Sequence, residues 1–562
     1  MTDSLFFRGD DYLDFPELER RCWALAAAHP EWVSVSVVGR SRQGRPMLLV
    51  TIGRGGDRDD RTGFWLDGGT HAAEWTGVMS ALFTASRWVE GLAAGDADLA
   101  AWFSRSSAYV MPCVSPDGFQ AMMEGAPFLR STLRPPPPGV LREGFEPCDM
   151  DGDGRVRWMR WRHPAGAWVD APTDPTEPGS RSIPRPRTLD DDPTEAYFLA
   201  SEGRFINWDG VRWTAAPREF GLDLNRNFPG SWTRFSMFGM DGGDHPLSEP
   251  ESRAVVAAFR ARRRIAVALT NHTYTGCILT QPYRQDSPLA DADVRLMEAL
   301  ATGAVAGTGY RTFRTCPDFM YDPKASIVGV WSDTMTTTFG VPAYTLELWD
   351  PVGHVGVTVD KPIEFFMKPE PAMLHRVIGA FAAETDGWRD WKPLDHPQLG
   401  AVEVGGLEYL RTVRNPPTAL LAAECERGFT VADRLRRSGP LVRATLSVEP
   451  LGEGARLVTL VLENVGFLST SSLAHAESIG AAPAPTATLA CGGDALLAEG
   501  TPSRSLTHLD GWGTLQITSA NLLYANLPDR GHRAWARWTV RGDGPVQVEW
   551  DAGRGGNGLL VG

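Results

Sequence analysis

The chain has 562 residues, of which 43% are hydrophobic and 22% are charged. This length exceeds an ordinary single domain, so we expect two or three domains, each with its own core. The net charge of −14 argues against nucleic acid or an anionic membrane as a partner. No apolar run in the sequence is long enough to span a bilayer.

The location of the protein is predicted from its N-terminus and its cysteines. Residues 1–10 have neither a basic start nor a long apolar run, so they do not resemble a signal peptide. The seven cysteines are scattered and odd in number, which does not suit a disulfide framework. We therefore expect a cytoplasmic protein, although a secreted protein whose leader has been removed would look the same. The sequence indicates nothing about oligomeric state.

Strands and helices alternate through residues 1–390, the predicted first domain. A helix is expected from Pro16, and apolar or alternating strand patterns then alternate with amphipathic helices. The expected strands are Val33–Val38, Pro46–Ile52, Gly63–Leu66, Ala108–Val114, Ile265–Thr270 and Val341–Leu348, and the expected helices include 78–92, Asp291–Val305 and Glu364–Glu384. This alternation predicts an α/β domain with a mixed sheet flanked by helices.

An insertion of about residues 131–220 interrupts this pattern. It is rich in Gly, Pro, Asp and Arg but also contains many Trp and Met residues, so we expect it to be ordered. Trp158, Trp161 and Trp168 form either a wall on which a ligand stacks or aromatic packing under a long loop.

The insertion also contains an acidic loop. Asp149, Asp151 and Asp153, followed by Gly154, begin like a loop of the EF-hand type that binds Ca²⁺. Arg160 stands where the twelfth position of such a loop needs a Glu. Two interpretations stay open: a second cation site completed by another part of the chain, or an acidic turn paired with arginines.

The composition shifts after Trp391. Residues 391–437 contain prolines, glycines and one helix, and we interpret them as a linker and bridging segment. Residues 438–562 contain short strands separated by turns, which predicts a β-sandwich domain. The expected strands are Leu441–Val448, Arg456–Leu462, Thr514–Thr518, Arg533–Val540 and Val546–Trp550.

Three side chains of metal-ligand type follow strand-like segments. His71 and Glu74 lie three residues apart after an apolar run and two glycines, and His272 follows the strand Ile265–Thr270. Two His and one carboxylate are a common ligand set for catalytic Zn²⁺, which keeps its fourth position for water. A lone His-x-x-Glu is weak, and a strand-end His is often only hydrogen-bonded. The prediction therefore depends on the three residues together.

Other polar residues supply the remaining parts of a hydrolytic site. Glu347 lies inside an apolar strand, where a carboxylate is costly unless it is paired or functional, and it is the candidate general base. Asp223 can orient a His that binds a metal, and Asn225 and Arg226 can bind a substrate carboxylate. The structural alternatives are a Glu–Arg pair for Glu347 and a polar turn for the other three.

These motifs, in this order, resemble the carboxypeptidase A/B-type zinc metallocarboxypeptidases over about residues 10–385. The segments that carry the resemblance are His71–Trp75, Pro116–Phe119 with Arg130 at the matching spacing, Asp223–Asn227, His272–Thr275 and Thr345–Leu348. The resemblance implies Zn²⁺ held by His71, Glu74 and His272, a catalytic Glu347, an Arg130 that polarises the scissile carbonyl, an Asp223 that braces a zinc His, and substrate contacts from Asn225, Arg226 and Tyr274.

The chain departs from the family pattern in three places. Ala73 stands where the family often has Arg, which affects contacts beyond the scissile bond. The family's mobile Tyr aligns near Ala325, and Tyr321 is the only nearby phenol. Ser332, next to the aligned Asp333, is a candidate for lining the pocket of the terminal side chain. The third departure is the insertion, which we expect to border the cleft.

Three functions are consistent with the sequence. The first is a zinc-dependent metallocarboxypeptidase that releases the C-terminal residue of a peptide with a free carboxylate. The second is a zinc amidase or deacylase that acts on cell-wall peptides, γ-glutamyl chains or N-acyl amino acids. The third is a non-catalytic binding protein, which the presence of Glu347 disfavours.

Overall fold

An eight-stranded mixed sheet forms the centre of the first part of the chain. The computed structural model describes residues 5–126, 128–136, 138–171, 183–237, 239–322, 326–367, 369–383, 387–519 and 530–562. From one edge to the other, the strands are Val33–Arg40, Pro46–Ile52, Ser106–Met111, Thr62–Gly68, Ile265–Thr273, Ala343–Leu348, Cys277–Thr280 and Arg311–Arg314. The four middle strands run parallel, whereas antiparallel pairs occur toward both edges.

Helices cover both faces of this sheet. Side chains of the strand Thr62–Gly68 alternate between the faces, as strand geometry requires. Phe64 and Leu66 belong to one buried cluster, whereas Trp65 belongs to the other and packs edge-to-face on Phe259. The helices in the described part of the first 390 residues are Phe15–Ala28, Trp75–Ala93, Ala97–Arg105, Pro116–Met123, Pro250–Arg260, Asp291–Val305, Thr315–Asp318, Trp331–Thr337, Pro351–His354, Pro362–Met367 and Pro371–Ala383. This arrangement confirms the predicted fold class.

The insertion forms a sheet of its own. In order across the sheet, its six strands are Trp388–His396, Gly400–Leu407, Trp158–Arg162, Tyr197–Ser201, Trp168–Asp170 and Pro184–Pro186. Two small antiparallel pairs lie nearby, Gly144–Pro147 with Gly203–Ile206 and Ser236–Met237 with Met240–Asp241. The insertion sheet thus takes two strands from beyond residue 387.

The segment 391–437 is therefore structured rather than extended. Its first residues belong to the two strands that complete the insertion sheet, and a short π-type turn follows at Leu410–Arg414. The helix Thr418–Arg436 then packs against the helix Trp75–Ala93, where Trp88 donates a hydrogen bond to Asp433 at 2.9 Å. Residues from this segment consequently reach the centre of the first domain.

Residues 442–561 include two four-stranded sheets that share one apolar core, which confirms the predicted β-sandwich. The strands of the first sheet are Val442–Gly452, Ala455–Asn464, Arg533–Arg541 and Leu496–Leu497, and those of the second are Ser503–Ser505, Thr486–Cys491, Val546–Asp551 and Asn557–Val561. The sandwich contacts the first domain through buried arginines. Arg554 donates to the carbonyl oxygen of Gly340 at 2.6 Å, and Arg264 pairs with Asp551 at 2.5 Å.

Two predicted elements differ from the structure. The predicted strand Thr514–Thr518 is wrong, because these residues lie in the helix Trp512–Ser519. Thr and Ile favour strands, but Ile517 packs against the main core, and this tertiary contact overrides the local preference. The predicted helix Glu364–Glu384 is two helices separated at Pro369, because proline cannot donate the helical hydrogen bond; Glu384 lies outside the described residues. No described helix is long and apolar enough to cross a membrane.

Candidate metal centre and substrate cleft

Glycines bring the two halves of the candidate metal centre together. A Cβ on Gly68 would lie 2.4 Å from the carbonyl oxygen of Gly77, and Gly69 has a φ of +69°, a left-handed conformation that glycine adopts without strain. A Cβ on Gly77 would lie 2.7 Å from the carbonyl oxygen of Asn271. The helix Trp75–Ala93 therefore starts directly beside the strand end that carries the second histidine.

His71, Glu74 and His272 converge at the carboxyl ends of the parallel strands. Nδ1 of His71 lies 3.0 Å from Oε1 of Glu74 and 3.0 Å from Nδ1 of His272. Nδ1 of His272 lies 2.9 Å from Oε2 of Glu74. The three side chains are 1–3% exposed. The structure thus unites the three predicted ligands in one buried cluster.

The donor set of this cluster fits Zn²⁺. Two imidazole nitrogens and one carboxylate form a ligand set that catalytic zinc sites use. The two Nδ1 atoms face each other at 3.0 Å, so at least one lacks a proton and presents a lone pair. The Nε2 atom of His71 lies 3.0 Å from Oδ1 of Asp223, which favours a proton on Nε2 and frees Nδ1 for a cation.

The charges around the cluster keep its carboxylates ionised. Burial alone would raise the pKa of Glu74, but His71, His272 and Arg130 outweigh burial and hold that pKa well below its usual range. Asp223 shows the same balance, because Arg130 and other nearby positive groups overcome its burial and lower its pKa. Both carboxylates are therefore available as anions for metal binding and for orienting the histidine.

Two arginines contact the same oxygen of Glu74. Arg130 donates to Oε1 of Glu74 at 3.0 Å and to Oδ2 of Asp223 at 3.3 Å, so it stands at the predicted place beside the ligands. Arg414 donates to the same Oε1 at 3.2 Å. Arg414 belongs to the π-type turn at Leu410–Arg414, and no sequence motif predicted its contact with Glu74.

The position of Arg414 depends on its neighbour in the chain. The side-chain amide of Asn415 donates to the carbonyl oxygen of Ala73 at 2.8 Å and accepts from the backbone N–H of Thr76 at 3.0 Å. These bonds fasten the turn onto the His71–Glu74 segment. The family often has Arg where this chain has Ala73. That difference is the one sequence signal that another segment supplies the cation, but it does not identify the segment.

Glu347 lies next to His272 in the parallel strand register. It is only half-buried by area, whereas every other residue of the strand Ala343–Leu348 is buried. Burial is the main cause that raises the pKa of Glu347 to about 7, and the neighbouring Glu74 also raises it. A carboxylate with a pKa near neutrality beside the candidate ligands can both take up and release a proton.

Arg226 lines a cavity, and Asn225, which precedes it in the chain, is buried and is not among the lining residues. A cavity of about 460 Å³ is lined by Arg226, Tyr321 and residues around them. Arg226 is 4% exposed, its guanidinium stacks on Phe235 at 5.1 Å, and its Nε has no hydrogen-bond partner among the described residues. Asn225 accepts a hydrogen bond from the backbone of Trp331 through its Oδ1 at 2.9 Å. A buried guanidinium with an unused donor is suited to a carboxylate.

Tyr321 and Ser332, two further predicted substrate contacts, lie in different surroundings. Tyr321 lines the same cavity as Arg226, and its contact with a substrate stays a prediction. Ser332 is not among the lining residues, because its Oγ is buried between Tyr283 at 2.6 Å and Thr345 at 2.9 Å. The predicted pocket role of Ser332 is therefore corrected to a role in packing. Ala325 lies outside the described residues.

The acidic loop of the insertion is paired with arginine. The side chains of Asp151 and Asp153 both accept hydrogen bonds from Arg389, and Asp149 accepts from the backbone of Gly152 at 2.7 Å. The three carboxylates lie close enough together for a cation, but the guanidinium of Arg389 already neutralises two of them. The contacts support the acidic turn paired with arginine, and calcium binding is not supported.

The fold and the site define an α/β protein with a buried His–Glu–His cluster, a candidate metal centre, at the carboxyl ends of the parallel strands. The family model described as zinc carboxypeptidase matches residues 18–151 and 197–371, more than half of the chain. The chain therefore belongs to the zinc carboxypeptidase family. Residues 441–558 match a second model, described as a domain of unknown function.

Individual relatives share parts of the chain. Carboxypeptidase B of Astacus astacus is 36% identical over 108 residues, which are 19% of this chain and 34% of that protein. Carboxypeptidase A4 of Mus musculus is 23% identical over 338 residues, 59% of this chain and 61% of that protein. The chain thus spans less than two thirds of the length of these relatives. The crystal structure of carboxypeptidase A from Helicoverpa armigera aligns with a TM-score of 0.41 and 16% identity, over 68% of this chain and 76% of that one.

Replacing Asp223 by Asn is expected to weaken zinc binding roughly 10–100-fold, the usual effect of losing a carboxylate that orients a ligand histidine. The amide can donate to Nε2 of His71 and so favours the wrong tautomer. Titration of zinc against a competing chelator measures the change. Asp117→Asn is the matched control, because Asp117 is also buried and arginine-paired but contacts Arg45 rather than a ligand. Equal zinc affinity for the Asp223 variant and the wild type would contradict the orienting role.

Proposed function

We propose that the protein is a zinc-dependent carboxypeptidase that hydrolyses the C-terminal peptide bond of peptides with a free carboxylate. The observation that carries this proposal is the buried Arg226, which lines a cavity and has an Nε without a hydrogen-bond partner among the described residues. Its charge acts on Asp223, the carboxylate that contacts His71. A site of this kind recognises the end of a chain, because only a terminal residue offers a carboxylate there.

The zinc ligands and the general base have separate roles in the proposed reaction. His71, Glu74 and His272 would hold zinc, which when bound supplies a Lewis acid that polarises the peptide carbonyl and acidifies water. The carboxylate of Glu347 accepts the proton of the attacking water and delivers it to the nitrogen of the leaving residue. The pKa of about 7 for Glu347 suits both halves of this transfer.

The arginines stabilise and position the substrate. Arg130 can donate to the carbonyl oxygen on which negative charge develops, because its guanidinium already lies within 3.3 Å of Glu74 and Asp223. Arg226 holds the terminal carboxylate, and the side-chain amide of Asn225 supports it. Tyr321 lines the cavity in which the terminal side chain would sit.

The test compares zinc-loaded protein on matched peptides with a free or an amidated C-terminus, with products read by mass. We expect loss of one C-terminal residue from the free peptide and no cleavage of the amide. Hydrolysis of both peptides would favour the amidase or deacylase alternative. Stoichiometric zinc without hydrolysis of any peptide would favour a binding protein.

Arg226→Met tests the carboxylate contact directly. Losing a charged hydrogen-bond partner costs about 1.5–3 kcal/mol, so kcat/KM for the free peptide should fall roughly 10–150-fold. Arg262→Met is the control, because Arg262 is similarly buried and stacks on Tyr109 at 5.0 Å, away from the cleft. An unchanged kcat/KM in the Arg226 variant would remove the main support for the proposal.

A further inference from the structure

A second cavity of about 490 Å³ lies between the insertion sheet and the first domain. Its walls include Trp158 and Trp168 of the insertion, Phe366, and the two tyrosines Tyr274 and Tyr409. Among the described residues that line it, none is Asp, Glu, Lys or Arg. His375 also lines the cavity, and the remaining walls are mainly apolar or aromatic, which suits an apolar or aromatic group.

Tyr274 links a wall of this cavity to the candidate metal centre. Tyr274 follows His272 by two residues, and the guanidinium of Arg414 lies over its ring at 4.7 Å while donating to Glu74 at 3.2 Å. The hydroxyl groups of Tyr409 and Tyr274 lie 3.5 Å apart. One layer of side chains therefore separates the ligands from the apolar space.

The cavity is also distinct from the one beside Arg226. The two cavities share no lining residue. If Arg226 holds the terminal carboxylate, the rest of the peptide must leave the metal centre by another direction, and Tyr274 marks an apolar space in such a direction. Trp158, Trp168 and Tyr409 lie outside the segments that match the family model, so this wall is an addition of this chain.

We propose that this cavity binds a large apolar side chain on the amino side of the scissile bond. The inference rests on the proposed carboxypeptidase function for the direction of the substrate. Edge-to-face packing of Tyr274 on Phe366, with ring centroids 4.4 Å apart, gives the cavity an aromatic floor on which such a side chain can pack. Trp158 and Trp168 thus form part of the ligand wall, whereas Trp161 packs on Phe198 and Trp213.

The experiment uses three acetylated tripeptides that share one C-terminal residue and carry Gly–Gly, Phe–Gly or Gly–Phe before it. Calorimetry on the full-length, zinc-loaded Glu347→Gln protein measures binding without turnover, and wild-type kinetics measures kcat/KM. We expect one of the two Phe peptides to bind roughly 10–100-fold more tightly than the Gly–Gly peptide, as burial of an aromatic side chain provides. Equal binding of all three peptides overturns the inference, whether or not they are cleaved.

The outcomes separate the two proposals. Tighter binding of a Phe peptide together with hydrolysis by the wild type supports both. Tighter binding without hydrolysis of any peptide supports the cavity and contradicts the carboxypeptidase function. Equal binding with hydrolysis contradicts the cavity alone.

A variant that fills the cavity tests whether the tighter binding of a Phe peptide arises there. Ser201 is exposed on its strand and lines the cavity, so Ser201→Trp should occupy the space and reduce the Phe to Gly–Gly binding ratio toward one. Ser503→Trp is the matched control, because Ser503 is an exposed strand serine on the sandwich. A ratio in the Ser201 variant equal to that of the wild type would contradict this placement. The wild-type comparison stands by itself if the Ser201 variant does not fold.

Discussion

Replacing Glu347 by Gln is expected to lower kcat roughly 10²–10⁴-fold, the contribution of a positioned general acid–base group, with zinc still bound. The amide has nearly the same shape as the carboxylate but cannot accept the proton of water. Glu347 lies beside His272 in the strand register and is not one of the three clustered ligands, so metal affinity should change little. Steady-state kinetics with metal analysis on the same sample separates these quantities.

Glu251→Gln is the matched control for this experiment. Glu251 is a fully buried carboxyl whose pKa is also raised to about 7, mainly by burial, and it accepts a hydrogen bond from the backbone of Arg42 far from the ligands. The control should keep the wild-type kcat. A Glu347 variant that keeps more than a tenth of the wild-type kcat would contradict the assignment of the base.

The same residue predicts the pH dependence of activity. The base acts as an anion, so activity is lost as the pH falls through its pKa. Burial raises the pKa of Glu347 from 4.5 to about 7, whereas a bound cation favours the anion and lowers it. The acid limb of kcat/KM should therefore lie between these values and should vanish in the Glu347→Gln variant. An acid limb retained in that variant would assign the limb to another group.

Replacing His272 by Ala is expected to abolish stoichiometric zinc and, with it, hydrolysis. His272 is 1% exposed and supplies one of the two converging Nδ1 atoms, so the variant leaves one nitrogen and one carboxylate. Affinity should fall by more than the roughly 10–100-fold that follows the loss of an outer partner. Metal analysis after dialysis and activity after added zinc give the readout.

Two comparisons make this second experiment decisive. His475→Ala is the control, because His475 is also buried but contacts the carbonyl oxygen of Thr337 at 2.9 Å in another part of the molecule. Chelation of the wild type should abolish activity, and added zinc should restore it. Full zinc content in the His272 variant, or full activity after chelation, would contradict the proposed metal centre.

Local sequence patterns were sufficient to predict elements whose structure depends on residues of the same segment. The apolar run before Gly68 and Gly69, the helix after Glu74 and four of the eight sandwich strands follow from periodicity, because burial of one face is a local property of the chain. The predicted strand Thr514–Thr518 failed because the contact of Ile517 with the main core outweighs local preference. Calcium binding at Asp149–Asp153 lost its support because Arg389, more than 230 residues away, pairs with the loop.

The sequence by itself determined the ligand types, the candidate base and the family resemblance, because these are carried by short motifs in a recognisable order. Only the tertiary structure decided that His71, Glu74 and His272 form one buried cluster, and that Ser332 is buried between Tyr283 and Thr345. It alone brought Arg414 to Glu74 and built an apolar cavity from the insertion and the segment after residue 387. The physical reason is that these contacts join residues far apart in the chain, and no local periodicity or motif specifies which distant segments will meet.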